Sequence, residues 1–548
     1  PVRVVIHPGS GTHHSGAVTN DETWQAADNP HVIDGVLMVD AVLTIGPGAT
    51  VLMGQGAGIV VGARTRAALK VVGKPDSVIS FLPFTAGPTP GFWRSIELLG
   101  NATCDSNIMR HCILEFGGAG GKGLVYLENT NLALEGCSLR FSSSAGVVAN
   151  EGGFTIFRTN SIRNCADFPI RIDPEYAGTL QPGSVFSGNN RDRVLINPGT
   201  VKRSATWANL CCPYELAGTV TVAGETTPVL TLAAGCSLLF ADSAKLRVGV
   251  GKPGALFVDG SFGAVCLSGA SGRWPGIEFW EWTDQNRTIL KSCLIRNAGF
   301  NSPAAIFCYH APVTLNSIRI ESSFAAGVYC SGCGFNRFLN TTITGCAGYP
   351  VHIEAPFVGT MGVNNRLTGN SNDMIEVVGG TIARDAEWHN QGVPYLITGD
   401  VDVGSASGPT LVIAPGTRLI FADRTMLRSG RTGPGTIVAV GTREDSITFT
   451  TSRQPPTPGA WRGIELLFTT TSSTAFEFCR LLYGGGEGPG ILCINSCVPR
   501  VRNCEIGWSA NYCIALFNTN IEAESLRSAN WLHDWGPEPY EDIYEGGP

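Results

Sequence analysis

The sequence predicts an all-β chain wound as a single-stranded parallel β-helix, a solenoid of about 20 coils, and three observations predict it. A unit of about 180 residues is written three times. Within each unit, cysteines and apolar triplets recur about every 25 residues. The composition, with 69 Gly among 548 residues and only 15% charged side chains, is that of short apolar strands broken by turns.

The triplication is legible in three motifs. Trp93-Arg-Ser-Ile-Glu-Leu-Leu returns as Trp274-Pro-Gly-Ile-Glu-Phe-Trp and Trp461-Arg-Gly-Ile-Glu-Leu-Leu, spaced by 181 and 187 residues. Upstream, Thr23-Trp24 with Asn29-Pro30-His31 returns as Thr206-Trp207 with Cys212-Pro213-Tyr214, and as Glu387-Trp388 with Val393-Pro394-Tyr395. Between them lie Leu43-Thr-Ile-Gly-Pro-Gly48, Leu230-Thr-Leu-Ala-Ala-Gly235 and Leu411-Val-Ile-Ala-Pro-Gly416. The chain accordingly reads as an N-terminal strand or loop over 1–16, then repeats over 17–199, 200–380 and 381–548, the last with a C-terminal tail.

The shorter beat gives the coil. Cys112, Cys137 and Cys165 stand 25 and 28 residues apart, and Cys479 and Cys504 stand 25 apart. Coils of that length stack at about 4.8 Å, so seven fill a repeat and three repeats make a rod on the order of 100 Å long. Alternate side chains enter a narrow dry interior, which explains apolar pairs and triplets without long apolar runs. Sharp corners explain the Gly and Asn load.

Cysteine fits such an interior as a small hydrophobe. Repeat two places Cys293 first but Ile318 where Cys137 and Cys504 stand, so the ladder reads mostly as packing. Cys211, Cys212 and Cys236 read differently. They occur only in repeat two, and Cys236 replaces Ala49 and Thr417 after a turn expected to face solvent. Equivalent Cα atoms on neighbouring coils come within about 5 Å, so Cys236 is a candidate disulfide partner of Cys211 or Cys212. Eighteen cysteines lean toward an oxidising compartment. Cys330-x-x-Cys333 lacks a second ligand pair, so no metal and no cofactor is expected.

Together these motifs resemble the secreted right-handed parallel β-helix repeat proteins of the pectate-lyase-like superfamily. There, a Trp followed by a Pro-Tyr strand, Leu-Thr-Ile-x-Pro-Gly and Trp-x-Gly-Ile-x-Phe open successive units. The likeness runs from Trp24 to Gly48 and Trp93 to Leu98, with both echoes. It extends to Asn189-Asn190, Asn364-Asn365 and the closing Asn530-Trp531-Leu532-His533-Asp534-Trp535-Gly536. The resemblance implies right-handed winding and an extracellular or cell-surface setting. It does not imply one function, because such coils serve lyases, adhesins, surface proteins and viral spikes alike.

No catalytic residue is assigned. β-helical lyases need an acidic calcium cluster with a Lys or Arg base, and glycosidases need paired carboxylates at a fixed separation. The sequence has no Asn-Thr-Asp, Asp-Asp, Gly-His-Gly or Arg-Ile-Lys mark of that hydrolase family. Asp21-Glu22 and the Glu538–Glu545 tail read as solvated turns, and His13-His14 as a solvated loop. His111 and His352 read as plain outward polar residues. Glu97, Glu278 and Glu465 recur at one position of the repeat, so they read as structural and, by alternation, outward. A net charge of -7 argues against nucleic acid, and no apolar run approaches a membrane span.

Two surfaces stand out. Repeat two reads Phe279-Trp280-Glu281-Trp282 where the others have leucines, making Trp280 and Trp282 a candidate sugar-stacking platform or subunit contact. The two ends are candidates for head-to-tail assembly, through Val2, Val4 and Ile6 at one and Ile543 and Tyr544 at the other, with no amphipathic helix visible as a cap. The reading is therefore a non-enzymatic scaffold or adhesion protein whose partners are copies of itself, other surface proteins or polysaccharide. A lyase or glycoside hydrolase is the alternative, and a phage tail-spike-like protein the second alternative.

Overall fold

Ile59, Ile96, Val125, Val147, Ile170 and Val194 are register partners on six successive strands, and every one is fully buried. That ladder is the fold in miniature: each coil lays an apolar side chain on the one before. The computed structural model describes residues 11–103 and 106–546. It is a β-solenoid of about 21 turns built from all-parallel sheets, with 45% of residues in strands. Val2, Val4 and Ile6 lie outside the described residues.

Contacts divide the chain into two compact units, Pro1–Arg247 with Gly251–Gly272, and Val248–Val250 with Arg273–Pro548. In the first, one sheet of eight strands runs from Thr12–His14 to Val185–Ser187, and one of six from Glu22–Trp24 to Gly153–Arg158. In the second, a run of eleven parallel strands extends from Gly276–Phe279 to Trp531–His533, and a seven-stranded sheet from Gly380–Ile382 to Ile543–Gly546.

The triplicated Trp motif is an interior device. Trp93, Trp274 and Trp461 are fully buried. Each indole N–H donates to a carbonyl of the next coil, at Glu115 (2.7 Å), Arg296 (2.8 Å) and Leu482 (2.9 Å), so no polar atom is orphaned. Gly117 has no Cβ because one would sit 2.5 Å from the Trp93 ring. The upstream motif packs Trp207 and Trp388 against Tyr214 and Tyr395, with ring centroids 5.3 and 5.5 Å apart.

Asparagines join coil to coil. The side-chain oxygens of Asn160, Asn189, Asn370 and Asn530 accept the amides of Cys137, Cys165, Cys346 and Cys504. Their amide groups donate to the carbonyls of Leu134, Ile162, Ile343 and Val501. Both ends of each buried amide are used, which is why Asn recurs at that corner.

Several expectations are corrected. A seven-residue helix, Ala523–Ala529, buries Ala523 and Leu526 near the C-terminal end; at under two turns it is too short for helical periodicity to register. His13 and His14 are not in a loop but in the strand Thr12–His14. Asp21 accepts the Val42 amide (3.0 Å), and Glu22 accepts the Trp24 indole (3.2 Å), so neither is a merely solvated turn residue.

Candidate functional site

The outward rows separate the repeats where the inward ladders do not. After Glu97 the register partners are Tyr126, Val148 and Arg171. After Glu465 they are Cys493, Ala515 and Tyr544. After Glu278 they are Phe307, Tyr329, His352 and Glu376. Only the second repeat lines this row with successive rings.

Those rings are in contact. Tyr329 and His352 stack face to face, 3.8 Å between centroids and 8° between planes. Phe307 follows at 5.8 Å, and Trp280 meets Phe307 edge-on at 6.0 Å and Tyr309 at 5.5 Å. His310 packs edge-on against Tyr309 at 4.5 Å, and its ring lies where a Cβ on Gly332 would collide. Polar atoms fix the two ends: the Trp280 indole donates to Glu278 (3.2 Å), and His352 Nδ1 is bonded to Glu376 (2.6 Å). Burial first, and then the nearby Glu376 charge, raise the Tyr349 phenol. The result is a continuous aromatic strip on the outer face of the second unit.

Its charge is one-sided. The strands Ala304–Tyr309, Ala326–Ser331, Val351–Glu354 and Ile375–Val378 contain no Lys or Arg but carry Glu354 and Glu376. Elsewhere, in both units, outward carboxylates are neutralised by ion pairs, Glu321 by Arg296 and Arg319 among them. Glu97 pairs with Lys122 (2.7 Å) and takes a bond from Ser95, while Glu215 pairs with Arg191 and Arg193.

Sequence-predicted residues divide accordingly. Trp280 joins the strip; Trp282, at 53% exposed, takes no part in its ring contacts. Phe307 and Tyr329 were missed, and His352 was not joined to them, because the three lie 22 and 23 residues apart and meet only through coil register. Counting successive coils forward from Glu278 would have found them. His352 is no plain outward residue, being stacked and tied to a carboxylate. Glu97 and Glu278 do lie on the outward row, yet they are buried beneath their neighbours.

Most of the described cysteines are interior thiols. No two described cysteines stand at bonding distance, and Cys236 is bonded to neither Cys211 nor Cys212. The turn position is not solvent-facing: Cys236, like Ala49 and Thr417 in the other repeats, is buried, whereas Cys211 is exposed. Burial, then the adjacent Cys212, push the Cys236 thiol up to about 12, which makes it unreactive. The ladder thiols donate instead to carbonyls, Cys137 to Met109 and Cys504 to Phe476, both at 3.3 Å.

Two other clusters gather titratable side chains. His14 stacks on Trp24 at 3.8 Å and is bonded to His31 (3.1 Å), while His13 pairs with Asp34 (2.8 Å). Among the described residues no three His, Cys, Asp or Glu are placed to hold a metal ion. In the first unit a 640 Å³ crevice is lined by Glu151, Asp173, Glu175, Lys202 and Arg203. Two of its carboxylates hold backbone: Asp173 accepts the Glu151 amide (2.7 Å), and Glu175 the Lys202 amide (2.5 Å). Groups so engaged fasten loops rather than shuttle protons.

Compared with known proteins, the chain matches no family model, no curated protein and no solved structure.

Proposed function

We propose that this protein is a non-enzymatic β-solenoid of the cell surface or extracellular space that binds an uncharged polysaccharide along its aromatic strip. The observation that carries the reading is the stacked row Phe307–Tyr329–His352 flanked by Trp280, continuous in one repeat, whereas the same row keeps a single ring, Tyr126 or Tyr544, in the other two. The row faces outward, where the interior ladder does not dictate residue type. Aromatic faces present large, rigid apolar area with polar tips, which suits the alternating C–H and O–H surfaces of a sugar chain. Absence of Lys and Arg from the four strands, beside Glu354 and Glu376, disfavours polyuronates and sulfated chains. The surface location rests on this ligand class and on the family resemblance.

Titration calorimetry against soluble glucomannan, β-1,3-glucan, dextran and polygalacturonate tests it. Binding is expected for at least one neutral polymer and none for polygalacturonate. Tyr329→Ala should weaken it about 30-fold, the effect of losing about 2 kcal/mol at a contact centre. Equal affinity of wild type and Tyr329→Ala would refute the assignment.

Head-to-tail assembly is the second reading. Among the described residues, the strand Ile543–Gly546 is paired on one side only, by Tyr512–Phe517, and such an edge accepts another strand.

A further inference from the structure

A second aromatic cluster lies farther along the same strand run. Tyr483 and Trp508 stack at 5.8 Å with 13° between planes, Trp508 meets His533 edge-on at 6.0 Å, and Trp531 covers His533 at 4.3 Å. Trp531 is 62% exposed and Trp508 41%. The cluster repeats the construction of the first: a histidine lies against an aromatic ring while Nδ1 is held by a carboxylate, here Asp534 (2.6 Å). Gly507 is required beneath it, since a Cβ there would enter the His533 ring.

Tyr483 and Trp508 occupy corners with φ of 63° and 56°, a region costly for bulky residues. The corresponding corners are Asn297 and Ser322 in the second repeat and Phe116 and Phe141 in the first, all left-handed, the two Phe rings stacked at 4.9 Å. The solenoid closes at these corners with or without an aromatic; what the third repeat adds is the continuation of the stack onto His533 and the exposed Trp531.

Register fixes where the two clusters stand. His352 pairs with Glu376, then Leu396, Ile420 and Thr450 follow in the same row. Phe449 pairs with Leu481, which places Leu482 beside Thr450, and Leu482 leads through Gly507 to His533. His352 and His533 therefore share one outward row, seven strand steps apart. At about 4.8 Å per step that is about 34 Å.

We infer that the two clusters form one bipartite site for a single long, linear polysaccharide chain laid along the row, and that short oligosaccharides engage each cluster separately. This rests on the glycan-binding reading above. Once one cluster holds the chain, the second binds it intramolecularly, at an effective concentration set by the polymer between. Leu396, Ile420 and Thr450 between them are nearly buried, so the intervening row adds little and affinity is set by the two ends.

The test uses size-fractionated glucomannan, β-1,3-glucan and dextran with the intact chain, by calorimetry. Fragments shorter than about 34 Å should bind two per protein, and longer ones one per protein with affinity at least 100-fold higher. Trp508→Ala/Trp531→Ala, both exposed positions, should reduce the short-fragment stoichiometry from two to one and abolish the length step, with an unchanged melting curve as the folding control. Affinity rising smoothly with length, or a stoichiometry of one for short fragments, would overturn the bipartite site while leaving the first strip intact. Failure of every fragment and polymer to bind would overturn the glycan reading itself.

Discussion

Glu135 stands between Arg110 (2.8 Å) and Arg158 (2.7 Å), and Glu477 between Arg500 and Arg502. Burial raises the Glu135 carboxyl, but bonds from Arg158 and Arg110 outweigh it and hold it below the ordinary glutamate value. Glu477 behaves alike under Arg502 and Arg500. Burial, and then His31, depress the His14 ring, outweighing the opposing Glu22. All three groups are depressed on folding, so their stabilisation is present above the unfolded values and is lost as pH falls through the folded ones. The melting temperature should therefore drop in two stages on acidification, first below about 6.5 and again below about 4.3. Scanning fluorimetry from neutral to acid pH checks this, with His14→Gln removing the upper stage and Glu135→Gln blunting the lower. Within the core, Cys137→Ala should cost about 1–2 kcal/mol as a packing loss without unfolding the solenoid. A loss several times larger in denaturant titration would contradict the packing role.

At the scale of strands and coils, the buried Trp is the element's keystone. Trp274→Ala removes a fully buried indole and leaves the Arg296 carbonyl without its donor, so a loss of about 3–5 kcal/mol is expected by denaturant unfolding. Gly117→Ala should destabilise as well, because Trp93 cannot move aside in a filled interior. These features were readable in the sequence because inward positions answer to the same constraint in every coil: the Cys137/Ile318/Cys504 exchange already identified a core site, and all three are buried. Outward positions obey no shared constraint. Contacts such as Tyr329 on His352 depend on which residues stand one coil apart, and a sequence of 25-residue beats with loops of unequal length hides that register. The Ala523–Ala529 helix escaped for a different reason, being shorter than the pattern that would reveal it.

Over the whole molecule, about 21 turns of one architecture carry surfaces that differ from repeat to repeat. The proposed non-enzymatic role predicts that incubation with each of the polymers above releases no reducing ends. Release abolished by a single Asp or Glu substitution would restore the enzymatic alternative. If copies stack end to end, sedimentation should show association rising with concentration, and Tyr544→Asp on the terminal strand should suppress it. A concentration-independent monomer would leave the protein a solitary scaffold.

The interior thiols bear on how the folded chain can be addressed chemically. No two described cysteines stand at bonding distance, and burial, the largest cause, raises the Cys112, Cys165 and Cys479 thiols. Among the described thiols Cys211 differs: it is exposed, at a left-handed corner, and open to modification. A brief pulse of iodoacetamide on the folded protein should mark Cys211 well before the buried thiols, giving a chemical handle through which the molecule can be tethered or labelled without disturbing a ladder.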